Sequence, residues 1–541
     1  MIKNDLRDNP DYSKFVFFDL ETSRSGDVLD CGVWFDNSYT VMGLSELLKF
    51  IASFKDGTFV AHYGSGFDFL FLIDGLLEYG YEIKYAVSGS NGIAMFCTKN
   101  KSILRFIDSF RIASVSLRKF SESFSPSEQK IAIEMLPEDL KSYDRFAYYE
   151  YLERDVVSLK SSYFAFMSQF SEYKLGKNPP ITAASLAMKV FKNHLGDRVI
   201  LTSSKKTREY ERKSYFGGIC YISEPCDREV NIYDINSMYP YIMQSSDFPD
   251  SYVGHWSDRF SDDYEGLWYC TIENEYSGLP FTFDCETRTL SRSGNFILDR
   301  ETVLYLQSKN VGIEIHYGYQ YLRCSRLFDY YSALYHQRLL AQQNGESGKA
   351  FALKIILNSL YGKFGQKDEG KTIVSYSQAK EKQLLADNVL FNTDSRFIMF
   401  DEYREAKTAF PVIASLVTLR ARLHLRKLSD SVDVIYADTD SLHIPIEQTM
   451  ATSTELGALK LEYSGRAVYI AKKLYTLVDS GKMVHKGVPK NCLTLDDYFG
   501  MLDFREIRVD YHSLPTVNDV LGKGIKPGLS IPKHRTLRRL S

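Results

Sequence analysis

The stretch VDVIYADTDSLHI, residues 432–444, decides the fold of the C-terminal half of this chain. It is rich in β-branched and aromatic residues, which predicts a buried strand. Asp438 and Asp440 stand at i and i+2, so on a strand their carboxylates leave the same face and repel one another. A divalent cation would relieve that repulsion. The stretch therefore predicts part of a metal site near a hairpin turn.

A second acidic strand end precedes it. YDINSMYPYIM, residues 233–243, places Asp234 at the end of a strand predicted over 229–235. A cation held between this carboxylate and the pair above would have three oxygen ligands from two strands.

A polar stripe lies on a helix between these two strand ends. KIILNSLYGKFG, residues 354–365, places Lys354, Asn358 and Tyr361 at i, i+4 and i+7 on one face of a helix that stops at the following glycine. A solvated helix face would explain the lysine alone. The position between two acidic strand ends favours triphosphate binding instead, with Lys349 adding charge one turn earlier.

A separate group of acids lies near the N-terminus. FFDLETS places Asp19 and Glu21 on one strand face, and Asp68 lies among apolar residues, where an unpaired carboxylate is costly. A predicted helix places Tyr151 and Asp155 at i and i+4. A solvated strand end would explain the first pair alone. The four acids together are the oxygen ligands of a two-metal phosphodiester hydrolysis site, in which Tyr151 orients the attacking water.

Composition is that of an ordinary globular chain. The 541 residues are 44% hydrophobic, enough for two or three domains, and the net charge of −3 means that any basic surface is local. No apolar run approaches a membrane span, and the N-terminus lacks a secretory signal, so we expect an intracellular protein. The eight cysteines show no C-x-x-C spacing, which argues against a zinc site and a disulfide framework.

The pattern along the chain changes near GKNPP, residues 176–180. Before it, strands and helices alternate, which predicts an α/β domain; after it the pattern is α+β, without internal repeats. The clearest predicted elements are strands at 15–21 and 57–63 and helices at 45–54, 146–170 and 181–195.

The three C-terminal motifs, DINSMYP, K-x-x-x-N-S-L-Y-G and YADTDS, resemble motifs A, B and C of family B DNA polymerases. The resemblance implies that Asp234 and Asp440 hold two catalytic metals, with Asp438 a nearby carboxylate and the main-chain carbonyl of Ile235 a further ligand. It also implies that Lys354 grips the triphosphate.

The same resemblance implies a site that selects deoxynucleotides. Tyr239 would lie under the sugar and exclude a 2′-hydroxyl, and Tyr361 and Asn358 would line the nascent base pair. DNA precursors would therefore be preferred to RNA precursors.

The N-terminal order D-x-E, F-D, Y-x-x-x-D resembles the proofreading 3′-5′ exonuclease of the DnaQ-like, ribonuclease H-like fold. One residue departs from the family, because Tyr63 stands where an asparagine usually helps to hold the single-stranded 3′ end; its ring could stack on a base. The resemblance further implies DNA contacts by Phe67, and by Ser116 and Leu117 in SLRKF. It places Lys130 near the scissile phosphate.

Further elements resemble the protein-primed branch of family B, found in small bacteriophages, adenoviruses and linear plasmids. They are YFGGI, TLRAR and KLY, and they imply DNA contacts by Tyr215, Gly217, Gly218, Thr418, Arg422, Lys473 and Tyr475. Asp19 lies almost at the start of the chain, which leaves no room for the additional N-terminal domain of larger family B enzymes.

The resemblance implies a domain order. An exonuclease domain would be followed by a right-hand polymerase domain with palm, fingers, thumb and two insertions. The expected bounds are 1–175 for the exonuclease, 181–541 for the polymerase, 181–245 and 405–460 for the palm, 245–330 and 366–398 for the insertions, 331–365 for the fingers and 461–541 for the thumb. In relatives the first insertion contacts the terminal protein and the second encircles template.

The expected function is therefore a DNA-directed DNA polymerase with proofreading, primed by a protein hydroxyl, copying a linear genome with strand displacement. Two Mg²⁺ ions per site, or Mn²⁺, are the implied cofactors. The implied partners are template-primer DNA, deoxynucleoside triphosphates, a terminal protein and a single-stranded DNA-binding protein. A monomer in the host cytoplasm, without membrane contact, is expected.

Two alternatives stay open. A family B polymerase could extend nucleic-acid primers or start without one, and motifs A to C do not separate these cases. A nuclease or DNA-binding protein could retain an inactive polymerase domain, although intact Asp234, Lys354 and Asp440 argue against it.

Overall fold

The computed structural model describes residues 1–375, 377–378, 390–391, 397–406 and 408–539. Within them, a ten-stranded sheet, the N-terminal sheet, and a seven-stranded sheet, the C-terminal sheet, organise the chain. No helix in this described part combines the length and apolar character needed to cross a membrane.

The strand Phe15–Thr22 is almost continuously apolar because it packs against a core on each face of the sheet. Phe17 packs into one core together with the long helix Arg145–Ser168, and Phe18 packs into a second core on the opposite face of the sheet. Because side chains alternate along a strand, the two acids that follow Phe17 face the long helix.

The predicted strands and helices of this half are confirmed to within two residues, the usual uncertainty of element ends. In spatial order, the strands of the N-terminal sheet are Leu390–Phe391, Phe397–Glu405, Lys367–Ser375, Glu82–Ser88, Asn91–Lys99, Ser102–Asp108, Asp56–Ala61, Phe15–Thr22, Val28–Phe35 and Ser38–Met42. The helices up to residue 214 are Leu44–Ala52, Asp68–Glu78, Phe110–Ala113, Leu117–Phe124, Pro137–Tyr143, Arg145–Ser168, Ala183–Leu195 and Lys205–Ser214. Single 3-10 turns occupy Tyr12–Lys14, Gly64–Gly66, Pro126–Glu128 and Ser429–Ser431.

The C-terminal sheet is antiparallel at every pairing between its neighbours. In spatial order its strands are Cys220–Ile222, Tyr436–Asp438, Ser441–Pro445, Cys226–Ile235, Leu459–Ala471, Leu474–Leu477 and Lys482–His485. The later helices are Met238–Ser245, Arg300–Ser308, Tyr331–Gln343, Ser347–Ser359, Tyr361–Phe364, Pro411–Leu428, Leu495–Leu502 and Val517–Lys523.

The predicted single strand over 432–444 is wrong. The structure divides it into Tyr436–Asp438 and Ser441–Pro445, which pair as a hairpin around Thr439 and Asp440. Thr439 has a φ of 61°, the left-handed conformation that a two-residue turn requires. The two aspartates therefore do not alternate along one strand.

The remaining strands form smaller sheets. A four-stranded sheet has the order Gly254–Ser257, Glu314–Tyr321, Glu265–Ile272 and Gly294–Asp299. The two-stranded pairs are Ile2–Lys3 with Val199–Ile200, Phe248–Pro249 with Cys324–Ser325, Thr282–Phe283 with Leu290–Ser291, and Ile507–Ser513 with Ile531–Leu537.

The two halves of the chain interlock. Strand Lys367–Ser375 comes from the second half, yet it pairs with Glu82–Ser88 and extends the N-terminal sheet. Helix Val517–Lys523 buries its apolar residues in the same core as Phe18. Much of the insertion predicted over 366–398, namely residues 376, 379–389 and 392–396, lies outside the described residues.

Candidate active sites

Three carboxylates meet between the N-terminal sheet and the long helix. Asp19 and Glu21 on strand Phe15–Thr22 and Asp155 on helix Arg145–Ser168 each offer an oxygen within 4.8 Å of the others. Oδ1 of Asp155 is buried and has no hydrogen-bond partner among the described residues. A buried cluster of hard oxygen ligands with an unsatisfied member fits a divalent cation.

Asp68 lies beside this cluster without joining the group of three. It begins helix Asp68–Glu78, is 2% exposed, and accepts a hydrogen bond of 3.0 Å from the main-chain N–H of Leu20, between the two strand acids. Its carboxylate therefore braces the strand that carries Asp19 and Glu21. Burial, reinforced by the charge of Asp19, raises its pKa well above the ordinary value.

The charges of the cluster are strongly coupled. Burial, and then repulsion from Asp155, raises the pKa of Asp19 to about 7. Burial, and then repulsion from Asp19, raises the pKa of Glu21 to about 8. Bound cations would reverse both effects, because they favour the ionised carboxylates.

Two more predicted residues lie at this cluster. The ammonium of Lys130 forms an ion pair with Asp155 and lies 3.4 Å from the hydroxyl of Tyr151. Glu21 faces the same tyrosine, whose hydroxyl partly opposes the rise that burial causes in the pKa of Glu21. The structure thus brings together Tyr151, Lys130 and the three carboxylates; their roles stay a prediction.

The segment that carries Tyr63 is held by a residue that sequence analysis missed, Asp108. Its buried carboxylate accepts hydrogen bonds from the main-chain N–H of Tyr63 at 2.8 Å and from the hydroxyl of Ser65 at 2.6 Å. Tyr63 is held at a φ of 66°, with its side chain exposed and its ring 5.4 Å from Phe110. The signal was an acid at the end of an apolar strand, as at Asp234.

The other residues predicted to contact DNA near this site differ in exposure. Phe67 is half-buried, its ring 5.2 Å from that of Phe71. Ser116 is exposed and caps helix Leu117–Phe124. Leu117 is 7% exposed and packs in the core, so the prediction that its side chain contacts the primer is wrong for this conformation.

A second group of acids lies in the C-terminal sheet. Asp234 ends its strand beside the hairpin turn, paired in register with Ser441 on one side and Lys460 on the other. The main-chain N–H of Ile235 donates a hydrogen bond of 2.8 Å to the carbonyl of Asp440, which ties the strand to the turn. Asp234, Asp438 and Asp440 line one open cleft of about 860 Å³.

Two lysines neutralise two of these acids. Lys460 forms an ion pair of 2.9 Å with Asp234, and the ammonium of Lys473 contacts both carboxylate oxygens of Asp438. Lys473 was predicted to contact DNA; here it pairs with Asp438. The predicted Tyr475 lines the same cleft but is 9% exposed, packed between Tyr436 and Tyr469.

The surroundings of Asp440 in the cleft raise its pKa. Burial, and then the charge of Asp234, raises its pKa to about 7. Burial also raises the pKa of Asp234, although Lys460 opposes the shift. Two carboxylates with raised pKa values facing one cleft are a donor set that fits divalent cations.

The residues predicted to bind a nucleotide lie on neighbouring elements. Lys354 and Asn358 are exposed on helix Ser347–Ser359, and the ring of Tyr361 lies 4.3 Å from that of Tyr239. The predicted continuous helix is wrong, because it ends at Ser359 and Tyr361 begins the next short helix. Lys349, one turn earlier, forms an ion pair of 3.5 Å with Glu346.

The YFGGI segment packs directly on the hairpin turn. A Cβ on Gly218 would lie 2.8 Å from Cγ2 and 3.1 Å from Cα of Thr439, so this position has no room for a side chain. Thr439 also donates its main-chain N–H to the carbonyl of Ile219. Gly217 is exposed, and the half-buried ring of Tyr215 lies against Gly365.

Two predicted DNA contacts on helix Pro411–Leu428 are corrected. Thr418 is fully buried and Arg422 is 1% exposed. The guanidinium of Arg422 donates to the carbonyls of Phe216 and Gly217 inside the protein. Arg422 therefore supports the YFGGI segment instead of reaching DNA, because the middle of the helix is buried in the core.

Comparison with known proteins relates this chain to DNA polymerases. The family profile described as "DNA polymerase type B, organellar and viral" matches residues 136–396. The DNA polymerase of Streptococcus phage Cp-1 is 26% identical over 518 residues, which cover 86% of this chain and 83% of that protein. The DNA-directed DNA polymerase of Enterobacteria phage PRD1 is 26% identical over 456 residues, covering 77% and 72%.

Fungal relatives are longer than this chain. A probable DNA polymerase of Neurospora intermedia is 24% identical over 350 residues, which cover 58% of this chain and 36% of that protein. The chain thus spans about a third of the length of such relatives.

Solved structures share the fold over nearly the whole chain. Phi29 DNA polymerase complexed with primer-template DNA superposes with a TM-score of 0.72 and 19% identity, covering 97% of this chain and all of that one. The exonuclease and right-hand polymerase architecture expected from the motifs is therefore the fold of this protein. Motifs, sequence matches and fold together support one resemblance, to the protein-primed family B DNA polymerases of viruses and organelles.

Proposed function

We propose that this chain is a DNA-directed DNA polymerase that also degrades DNA from the 3′ end. The observation that carries the proposal is the presence of two separate carboxylate sites on one chain. Asp19, Glu21 and Asp155 form the first, and Asp234 and Asp440 line the cleft of the second.

In the synthesis site, Asp234 and Asp440 would hold two divalent ions, which would supply activation of the primer hydroxyl and charge neutralisation of the leaving pyrophosphate. Mg²⁺ is the proposed ion, and Mn²⁺ a substitute. Lys354 pairs with the triphosphate from its exposed helix face. Tyr239, whose ring packs 4.3 Å from that of Tyr361, would lie under the sugar and exclude a 2′-hydroxyl.

In the degradation site, the three carboxylates hold the same class of ion. Tyr151, whose hydroxyl lies 3.4 Å from the ammonium of Lys130, orients the attacking water, and Lys130 offsets the charge of the scissile phosphate. The exposed ring of Tyr63 beside Phe110 gives a stacking surface for the terminal base.

Primer extension with two variants tests this division. Asp440→Ala should abolish synthesis and keep 3′-5′ degradation, and Asp19→Ala with Glu21→Ala should do the reverse. The exposed Asp258→Ala is the matched control and should keep both activities. Synthesis by Asp440→Ala would refute the first assignment, and degradation by the double variant the second.

We further propose protein priming and strand displacement on a linear genome, in a host cytoplasm, with the domain bounds expected from the sequence. The resemblance to the protein-primed branch supports this. A partner terminal protein and a single-stranded DNA-binding protein belong to the proposal. Transfer of a labelled deoxynucleotide to a purified terminal protein tests it; failure with every candidate partner, while primers are extended, would favour a nucleic-acid-primed polymerase.

A further inference from the structure

Lys460 occupies an unusual position in the synthesis cleft, because it is shared between two carboxylates. Its ammonium lies 2.9 Å from Oδ2 of Asp234 and 3.1 Å from Oε1 of Glu462. The ammonium of Lys473, the other lysine paired in the cleft, forms an ion pair with Asp438 alone among the described residues. One lysine is therefore committed to a single partner, and the other has two.

A backbone irregularity determines the position of Glu462. Strand Leu459–Ala471 is irregular at this point: Ile232 pairs with Tyr463 and Tyr233 pairs with Leu461, so Glu462 is the unpaired residue of a bulge. Bulges beside functional sites re-aim a side chain. This one sits two residues from Lys460 and next to the strand that carries Asp234.

The arrangement contributes little to folding. The side chains of Lys460 and Glu462 are 46% and 44% exposed, and ion pairs that open to solvent contribute little net stability. The buried pair of Arg420 with Glu265, 4% and 8% exposed, shows how the same chain builds a structural ion pair. Stability alone therefore does not account for a lysine held on a carboxylate that is proposed to bind metal.

We propose that Lys460 is a displaceable counter-ion of Asp234, which neutralises this carboxylate before a divalent cation binds and then pairs with Glu462 alone. The inference rests on the proposed function of the cleft. Lys460 is a positioning residue: it keeps Asp234 aimed into the cleft without metal, and it competes with the cation for the carboxylate. Glu462 lowers the cost of that displacement because the ammonium already touches it.

Mn²⁺ binding tests the proposal directly. Calorimetry on protein carrying Asp19→Ala and Glu21→Ala reports the synthesis cleft without the degradation site. Lys460→Met removes the competitor and should tighten Mn²⁺ binding about two- to fivefold, the range for a partly exposed ion pair. Glu462→Gln leaves the lysine with Asp234 alone and should weaken Mn²⁺ binding by a similar factor.

The double variant separates this mechanism from a simple change of charge. If Glu462 acts through Lys460, Glu462→Gln should have no effect in the Lys460→Met background. Weaker Mn²⁺ binding caused by Glu462→Gln in that background would mean that Glu462 acts on the cation without Lys460, either as a ligand or through the general field, and would overturn the proposal.

Two controls complete the test. Lys482→Met removes another lysine that lines the cleft and reports the general field effect, which should be smaller than that of Lys460→Met. Lys309→Met removes a lysine that is also 46% exposed and paired with Asp430 elsewhere, and should change nothing. Equal tightening by Lys482→Met would contradict the proposal.

Primer extension by the unmodified protein distinguishes failure of this inference from failure of the proposed function. Absence of synthesis would contradict the proposed function, whereas synthesis together with unchanged Mn²⁺ affinities in the variants would contradict this inference alone.

Discussion

Asp440 is predicted to destabilise the metal-free protein, so that Asp440→Asn should be more stable than the natural chain. Burial and the charge of Asp234 raise the pKa of Asp440 from 3.8 to about 7. At about 1.4 kcal/mol per pKa unit, the ionised carboxylate costs about 4 kcal/mol. Solvent in the open cleft screens part of this, and we expect a gain of about 1–3 kcal/mol from the amide.

The stability of the natural protein should fall with rising pH because of Asp440. A carboxyl whose pKa is higher in the folded than in the unfolded chain holds its proton more tightly when folded, so stability falls as the pH rises from about 4 to about 7. Above about 7 the penalty is complete. Asp440→Asn should therefore exceed the natural protein in stability at pH 8, and its advantage should be about half as large at pH 5.5.

Thermal unfolding in EDTA measures this difference. At about 2.1 cal/mol/K of unfolding entropy per residue, a gain of about 1–3 kcal/mol corresponds to a rise of about 1–3 °C for cooperative unfolding of the 541 residues. Adding Mn²⁺ should reverse the order, because the natural cleft binds the cation and the amide variant loses a ligand. Asp258→Asn, an exposed carboxylate, is the control. No gain at pH 8, or an equal gain at both pH values, would refute the reasoning.

Three further substitutions test the supports of the two sites. Gly218→Ala places a methyl group against Thr439 and should reduce primer extension about tenfold or more, with degradation of single strands unchanged; full extension would contradict the close approach. Arg422→Gln leaves buried carbonyls without donors and should lower the free energy of unfolding by about 2–4 kcal/mol, measured by denaturant unfolding. If the variant instead lost DNA affinity with unchanged stability, a direct contact of Arg422 with DNA would be supported. Asp108→Asn weakens the anchor of Tyr63 and should slow degradation about tenfold without changing extension, and equal loss of both activities would indicate general unfolding.

The sequence allowed the strands and carboxylates of both sites to be predicted, because apolar runs that end in acids are local patterns. It also placed the two aspartates near a hairpin turn, but it did not show that the turn divides the strand between them, since the turn contains no glycine or asparagine and the apolar residues on both sides form one run. Lys460 was also missed. Its partnership with Asp234 depends on antiparallel register between strands more than 220 residues apart, which no local pattern contains.

The corrections at Thr418 and Arg422 have a related cause. A motif match identifies positions, but helix Pro411–Leu428 is buried around most of its circumference, and only the packed structure shows that the arginine is used internally. The helix Ser347–Ser359 likewise ends earlier than its polar stripe indicated, because Tyr361 turns towards Tyr239.

The shared N-terminal sheet limits how this protein can be dissected. In a fragment of residues 1–175, strand Glu82–Ser88 would lose its neighbour Lys367–Ser375 and become an unprotected edge. The fragment would also lose the apolar side chains of helix Val517–Lys523 from its core. Such a truncation is expected to aggregate instead of yielding a free-standing nuclease. The two proposed activities are modular in their chemistry but not in their folding, and point variants of the intact chain are the means to separate them.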